Sequence, residues 1–128
     1  MMLTELAADL VTGLSYTVGT NLFINHFPPK PSNIVSLHNQ QSAKPIRAMS
    51  KTLDHEVRIV QVIGRDANHD SCETKIRAIY LRWDMFEGTL SSVRYVSILA
   101  IQTPVYLNVD ENDRFRWSCM FEVRRIPS

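Results

Sequence analysis

Two stretches of this chain carry the 3.6-residue period of amphipathic helices. Leu3, Leu6, Ala7, Leu10, Val11 and Leu14 fall on one face, with Thr4 placed to cap the start and Gly13 near the end. Cys72, Ile76, Ile79, Tyr80, Trp83 and Phe86 form a second stripe, with Lys75, Arg77 and Arg82 on the wet side. Asp66 or Asn68 caps this helix, Asp70 and Glu73 put negative charge at the positive end of its dipole, and Gly88 stops it.

The remaining apolar pattern has a period of two. Residues 21–27 and 33–38 read as short strands, separated by Pro28, Pro29 and Pro31, which cannot sit inside a sheet. Residues 57–63 form the central strand. Val57, Ile59 and Ile63 point to one face and Val60 and Val62 to the other, which predicts a strand covered on both sides. One cover is the helix that follows; the other is a further part of the chain or another subunit. Residues 91–103 are again apolar on both faces. Pro104 interrupts that strand, and 105–109 resume it past a bulge. After a polar turn at 110–113, Phe115, Trp117, Cys119, Phe121 and Val123 alternate with polar neighbours. The order predicts one α+β domain over residues 1–128, a largely antiparallel sheet with two helices packed on one face.

Residues 39–53 show neither period and predict a long polar loop. It is either a tethered surface loop or a segment that seats Ile46 and Met49 on a partner.

Composition narrows the function classes. At 128 residues the chain buries roughly 65–70% of its unfolded surface without staples. A net charge of +1 gives no bulk attraction to nucleic acid or an anionic membrane. The two cysteines, Cys72 and Cys119, sit in apolar patterns and read as buried free thiols of a reducing compartment. No run approaches the roughly 18 apolar residues that span a bilayer, and no signal-peptide pattern opens the chain, so it reads as soluble and intracellular when made.

The search for chemistry ends without an active site. His26, His38, His55 and His69 lack metal-ligand spacing. The run 66–70 opens like a calcium loop, but the sixth position is Ser71 instead of glycine and the twelfth is Arg77 instead of glutamate. The acidic turn at 110–113 needs no ion, the four glycines are too dispersed to cradle phosphate, and Cys72 has no histidine partner in the pattern. The pattern therefore implies no cofactor, no metal and no catalytic residue. Arg114, Arg116, Arg124 and Arg125 cluster on the last hairpin. They form a solvated face with rim salt bridges, a docking surface for an acidic partner, or a weak lining for DNA.

Several local patterns together resemble the tail terminator proteins of long-tailed phages, in the group of small minor capsid and neck proteins. The carriers are residues 3–10, the step 18–23, the strand-to-helix joint 62–66, and the ending 101–107 with 110–112 and 121–125. Many relatives carry glycine in the final turn, where this chain has Asp113. The resemblance implies a non-enzymatic homohexameric ring of the virion tail or neck. Such a ring sits on the last ring of tail tube protein, halts tube polymerisation and offers a surface to the head–tail connector or head completion protein. DNA passes through its lumen without sequence-specific binding, and no membrane is involved. A head completion or connector adaptor protein of the neck is the neighbouring alternative; a small ligand-binding or enzymatic α+β domain is the remote one. Ring contacts need continuous apolar surface, and the faces of Val57, Ile59 and Ile63 and of Val96, Ile98 and Ala100 are the candidates to supply it. Arg116 and Arg124 are expected to face protein, since arginines beside aromatic residues anchor interfaces.

Overall fold

A computed structural model of the chain describes residues 2–26, 28, 33–42, 46–47, 53–90, 93–109 and 113–125; side chains at 2, 39–42, 46–47 and 53–56 are outside that description. Helix α1 (Met2–Leu14) buries Leu3, Leu6, Ala7 and Leu10, and Leu14 packs partly against the core. Val11, which spacing places on the same stripe, is instead 40% exposed. Thr4 lies inside its first turn and is not its cap, because the helix is already under way at Met2. Helix α2 (His69–Trp83) buries Cys72, Ile76, Ile79 and Trp83. Its cap is Asn68, whose side chain accepts from the Ser71 backbone N–H at 3.0 Å. Asp66 holds the preceding turn, accepting from Asn68 N–H at 2.9 Å and pairing with Lys75 at 3.2 Å.

The far end of α2 differs from the pattern. Asp84 N–H closes the last turn on Tyr80 O, and Met85 turns the chain at φ 62°. Phe86 is therefore not on the helix stripe. It opens a strand, Phe86–Leu90, and Gly88 lies inside that strand instead of stopping the helix.

The strands are β1 (Leu22–Ile24), β2 (Ile34–Ser42), β3 (Ile46–Arg47), β4 (Leu53–Asp66), β5 (Phe86–Leu90), β6 (Val93–Ala100), β7 (Val105–Val109) and β8 (Phe115–Arg125). They form one sheet ordered β1-β2-β4-β8-β6-β5. β1 pairs with β2 in parallel and every other pairing is antiparallel. The class is α+β. β2 and β3 run one after the other along one edge of β4, and β6 and β7 do the same along β8. The reading of 39–53 as a loop is thus corrected at both ends. β2 continues to Ser42, β3 sits within the segment, and β4 begins at Leu53. Pairing with the long β4 supplies the backbone hydrogen bonds, so these residues need no alternation of their own. Met49 lies outside the described residues. Ile46 is paired through its backbone with His55.

The core lies on one side of the sheet. Leu37, Val62 and Cys119 form one cross-strand row, and Val60 and Phe121 the next. Gly64 lies under α2, where an added Cβ would stand 2.6 Å from Ile76 Cδ1, so the missing side chain is what lets helix and sheet approach. α1 packs against β1 and β2 at one end of the sheet order and against β5 at the other, which curls the sheet around the helices.

β6 brings a second correction. A register shift between Tyr95 and Ser97 swaps its faces, so Val93, Tyr95 and Ile98 are all buried and Ala100 packs beside them. Ile98 and Ala100 belong to the core and are not outer ring surface. Pro104 does divide the strand, and β7 resumes on β8 as the sequence implies. Asp113 sits at φ 59° in the last turn, the left-handed conformation that glycine adopts freely and that aspartate tolerates at a cost of about 1–2 kcal/mol.

Candidate functional site

Among the described residues, the two cysteines and the Ser36–His38 pair are each held in structural hydrogen bonds. Cys72 Sγ donates to Gly64 O at 3.3 Å and to Phe115 O at 3.4 Å, and Cys119 Sγ donates to Gln102 O at 3.2 Å. Burial pushes both thiols up to about 11, so neither supplies a thiolate near neutrality. Ser36 and His38 lie within hydrogen-bond distance, at 2.8 Å, but the Ser36 hydroxyl donates to His26 O at 2.6 Å. Its proton points away from the imidazole, Ser36 is fully buried, and the pair cannot act as nucleophile and base. Among the described residues no three His, Cys, Asp or Glu side chains converge as a metal site, and no helix is long and apolar enough to cross a membrane.

His38 does give the fold a pH dependence. Burial lowers its pKa in the folded protein, while the unfolded chain keeps the ordinary value near 6.5. Above that value both states are neutral and the group contributes nothing. As pH falls below it, the unfolded state takes up the proton first and stability drops. Urea midpoints measured at pH 7.5, 6 and 5 are expected to fall in that order, with a slope of at most about 1.4 kcal/mol per pH unit from this group. His38→Gln, which keeps a donor for Ser36, should flatten the trend; an unchanged slope assigns it elsewhere.

What remains is surface. The side of β4 and β8 away from the helices carries Ile59, Gln61 and Ile63 beside Glu122, Met120 and Ser118. At one end the chain itself covers this side: Arg65 Nη2 donates to Pro28 O at 2.6 Å, and Ser36 is tied to His26 O. Those contacts leave Arg65 only 2% exposed. Farther along, Ile59, Ile63 and Met120 are half-buried, with no helix over them among the described residues, and Leu99 and Val105 continue the apolar surface onto β6 and β7. Val57 is the exception, buried on the same side. β7 is exposed at every position, although four of its five residues are apolar. It is tied to the body through His69 at the start of α2, whose ring lies 5.5 Å from Tyr106, 5.3 Å from Phe115 and 5.4 Å from Trp117.

The four arginines separate. Arg125 is largely buried in an ion pair with Glu5 at 2.7 Å, and Arg114 is buried, so neither belongs to an open docking face. Arg116 donates to Asn108 at 2.7 Å beside β7, and Arg124 pairs with Glu122 at 3.1 Å. Both are partly exposed and share the uncovered side with Ile59, as the alternation of β8 requires.

Two polar clusters that the sequence pattern did not announce hold α1 in place. Asp9 accepts two bonds from Arg82, at 2.8 and 2.9 Å, and a third from Trp83 Nε1 at 2.8 Å. That pairing raises the Arg82 pKa further. Glu5 accepts from Tyr95 Oη and from Arg125, and burial followed by the Glu5 contact raises the Tyr95 pKa strongly. Glu5 and Asp9 stand four apart on α1, the spacing of one helix face, which was the legible part of the signal.

No family model matches the sequence, and no curated protein matches it. A solved structure does share the fold. A chain in the virion of a native gene transfer agent particle superposes with a TM-score of 0.66 at 21% identity, over 98% of this chain and 91% of that one.

Proposed function

We propose that this chain is a structural, non-enzymatic protein of a phage-like virion. In this reading it forms a sixfold ring at the head-proximal end of the tail tube, stops tube growth and presents a surface for head joining. The observation that carries it is a fold shared almost end to end with a chain of a gene transfer agent virion. The apolar side around Ile59, Ile63 and Met120, half-buried with no helix over it among the described residues, supports assembly, because partly exposed apolar surface is what an obligate oligomer covers. A net charge of +1 suits a lumen through which DNA passes without being held.

Negative-stain imaging of the protein alone and mixed with tail tubes tests the proposal. Rings alone and a ring capping one end of each tube are the expected images, with overlong tails when the protein is withheld from assembly. Rings that bind only tail-less heads would move the protein to head completion or a connector adaptor. A monomer that binds neither removes the virion reading.

A further inference from the structure

α2 carries a short second strip on its outer side. Beside its buried stripe, Thr74, Ala78 and Leu81 recur at i, i+4 and i+7 on the outer surface, and Met85 continues the row past the helix end. Leu81 is 70% exposed and Met85 79%, the largest exposures among the described large apolar residues. A groove of about 310 Å³ is lined by Thr74, Ala78 and Leu81 and walled by Glu73 and Arg77; Met85 lies outside it. Met85 holds its left-handed backbone although glycine would do so at less cost, and strain of this kind collects at functional positions. Methionine is also a frequent residue of binding surfaces.

We infer that this outer face of α2 receives the uncovered sheet side and β7 of a second copy of the chain, forming the lateral contact of the ring. The inference rests on the ring proposed above. A closed ring needs two different patches on each subunit, and the fold provides them on its two opposite layers, the bare side of the sheet and the outer side of the helix. A sheet face is covered by a helix, and among the described residues none lies over the Ile59–Ile63 part of β4. Charge complementarity selects the occupant. Among the described residues Arg116 meets only Asn108, and the Asp113 carboxylate meets no partner; both flank β7. Glu73 and Arg77 are partly exposed and joined only at 3.5 Å, so each is available to a better partner. Docking β7 into the groove brings Arg116 to Glu73 and Asp113 to Arg77, two opposite-charge pairs at the rim of an apolar contact.

Exchange of charge tests this directly. Glu73→Arg and Arg116→Glu alone should each raise the concentration for half-assembly at least about tenfold. The double variant should return it to within about threefold of the wild type, since the contact between subunits pairs opposite charges again, at the small cost of the exposed Glu73–Arg77 pair within α2. Leu81→Asp, at a position too exposed to harm folding, should leave monomers with an unchanged circular dichroism spectrum. Sedimentation velocity reads all four. Rings of the wild type that persist in Leu81→Asp, or a double variant no better than its single parents, overturn the inference and leave the ring proposal standing. If Leu81→Asp rings form but no longer cap tubes, the groove faces the tube and the inference is also overturned. A wild type that stays monomeric overturns both.

Discussion

Asp9→Ala is expected to lower the unfolding free energy by about 2–3 kcal/mol, below the roughly 3–5 kcal/mol typical of breaking a buried pair, because the Arg82 side chain is 34% exposed and partly screened by solvent. The Asp9 side chain is only 8% exposed, and its loss strips acceptors from Arg82 and from the Trp83 indole together. The melting midpoint should fall by roughly 6–10 °C. Gly13 extends the same arrangement. A Cβ there would stand 2.1 Å from the Arg82 guanidinium carbon, so Gly13→Ala forces the guanidinium off Asp9. Alone, that substitution sets the lost pair against a gain of about 1 kcal/mol in helix propensity and should be net destabilising. In the Asp9→Ala background the guanidinium is free to swing aside, and Gly13→Ala should turn neutral or stabilising. Chemical denaturation of the four proteins of this cycle measures the coupling; additive effects would show that Gly13 and Asp9 act separately.

Periodicity carried the fold a long way because the helices and long strands obey the rule on which it rests. Leu3, Leu6, Ala7 and Leu10 are buried together, and so are Trp117, Cys119, Phe121 and Val123, as one-sided patterns demand. It failed where tertiary pairing outweighs local pattern. Phe86 fell on the α2 stripe by spacing alone, while the turn at Met85 made it a strand residue. The polar residues that extend β2 to Ser42 are held by the β4 ladder and so carry no alternation to detect. The shift between Tyr95 and Ser97 inverted the faces of β6 with no Gly or Pro to mark it. Arginines of similar appearance likewise divided by partner. Arg125 lies against Glu5, which is 120 positions away in sequence, and a distance of that kind cannot be read from a local pattern. The outer stripe of α2 was present as Thr74, Ala78, Leu81 and Met85, but the stronger buried stripe masks it until exposures are known.

Ile59→Asp is expected to abolish ring formation while leaving a folded subunit. Ile59 lies on a β4 side that no helix among the described residues covers, and it is only half-buried, so the new carboxylate reaches water in the monomer. The folding cost is therefore modest, about 1–2 kcal/mol, and near-ultraviolet circular dichroism should keep its native bands. In the assembled state the same carboxylate would be driven under a neighbouring subunit. Its register partner on β8 is Glu122, whose own partner Arg124 is already engaged at 3.1 Å, so the new carboxylate would be desolvated beside an acid, at a cost that several apolar contacts cannot offset. Ile59→Val removes one methylene without adding charge and serves as the control; its rings should form at nearly wild-type concentration. Size-exclusion chromatography with light scattering distinguishes the outcomes, six subunits for the wild type and Ile59→Val against one for Ile59→Asp. Normal rings from Ile59→Asp would place this side of the sheet outside the subunit contact, where solvent or the lumen reaches it. The partial exposure of Ile59, Ile63 and Met120 would then be a permanent feature of the virion and no longer a trace of a missing neighbour.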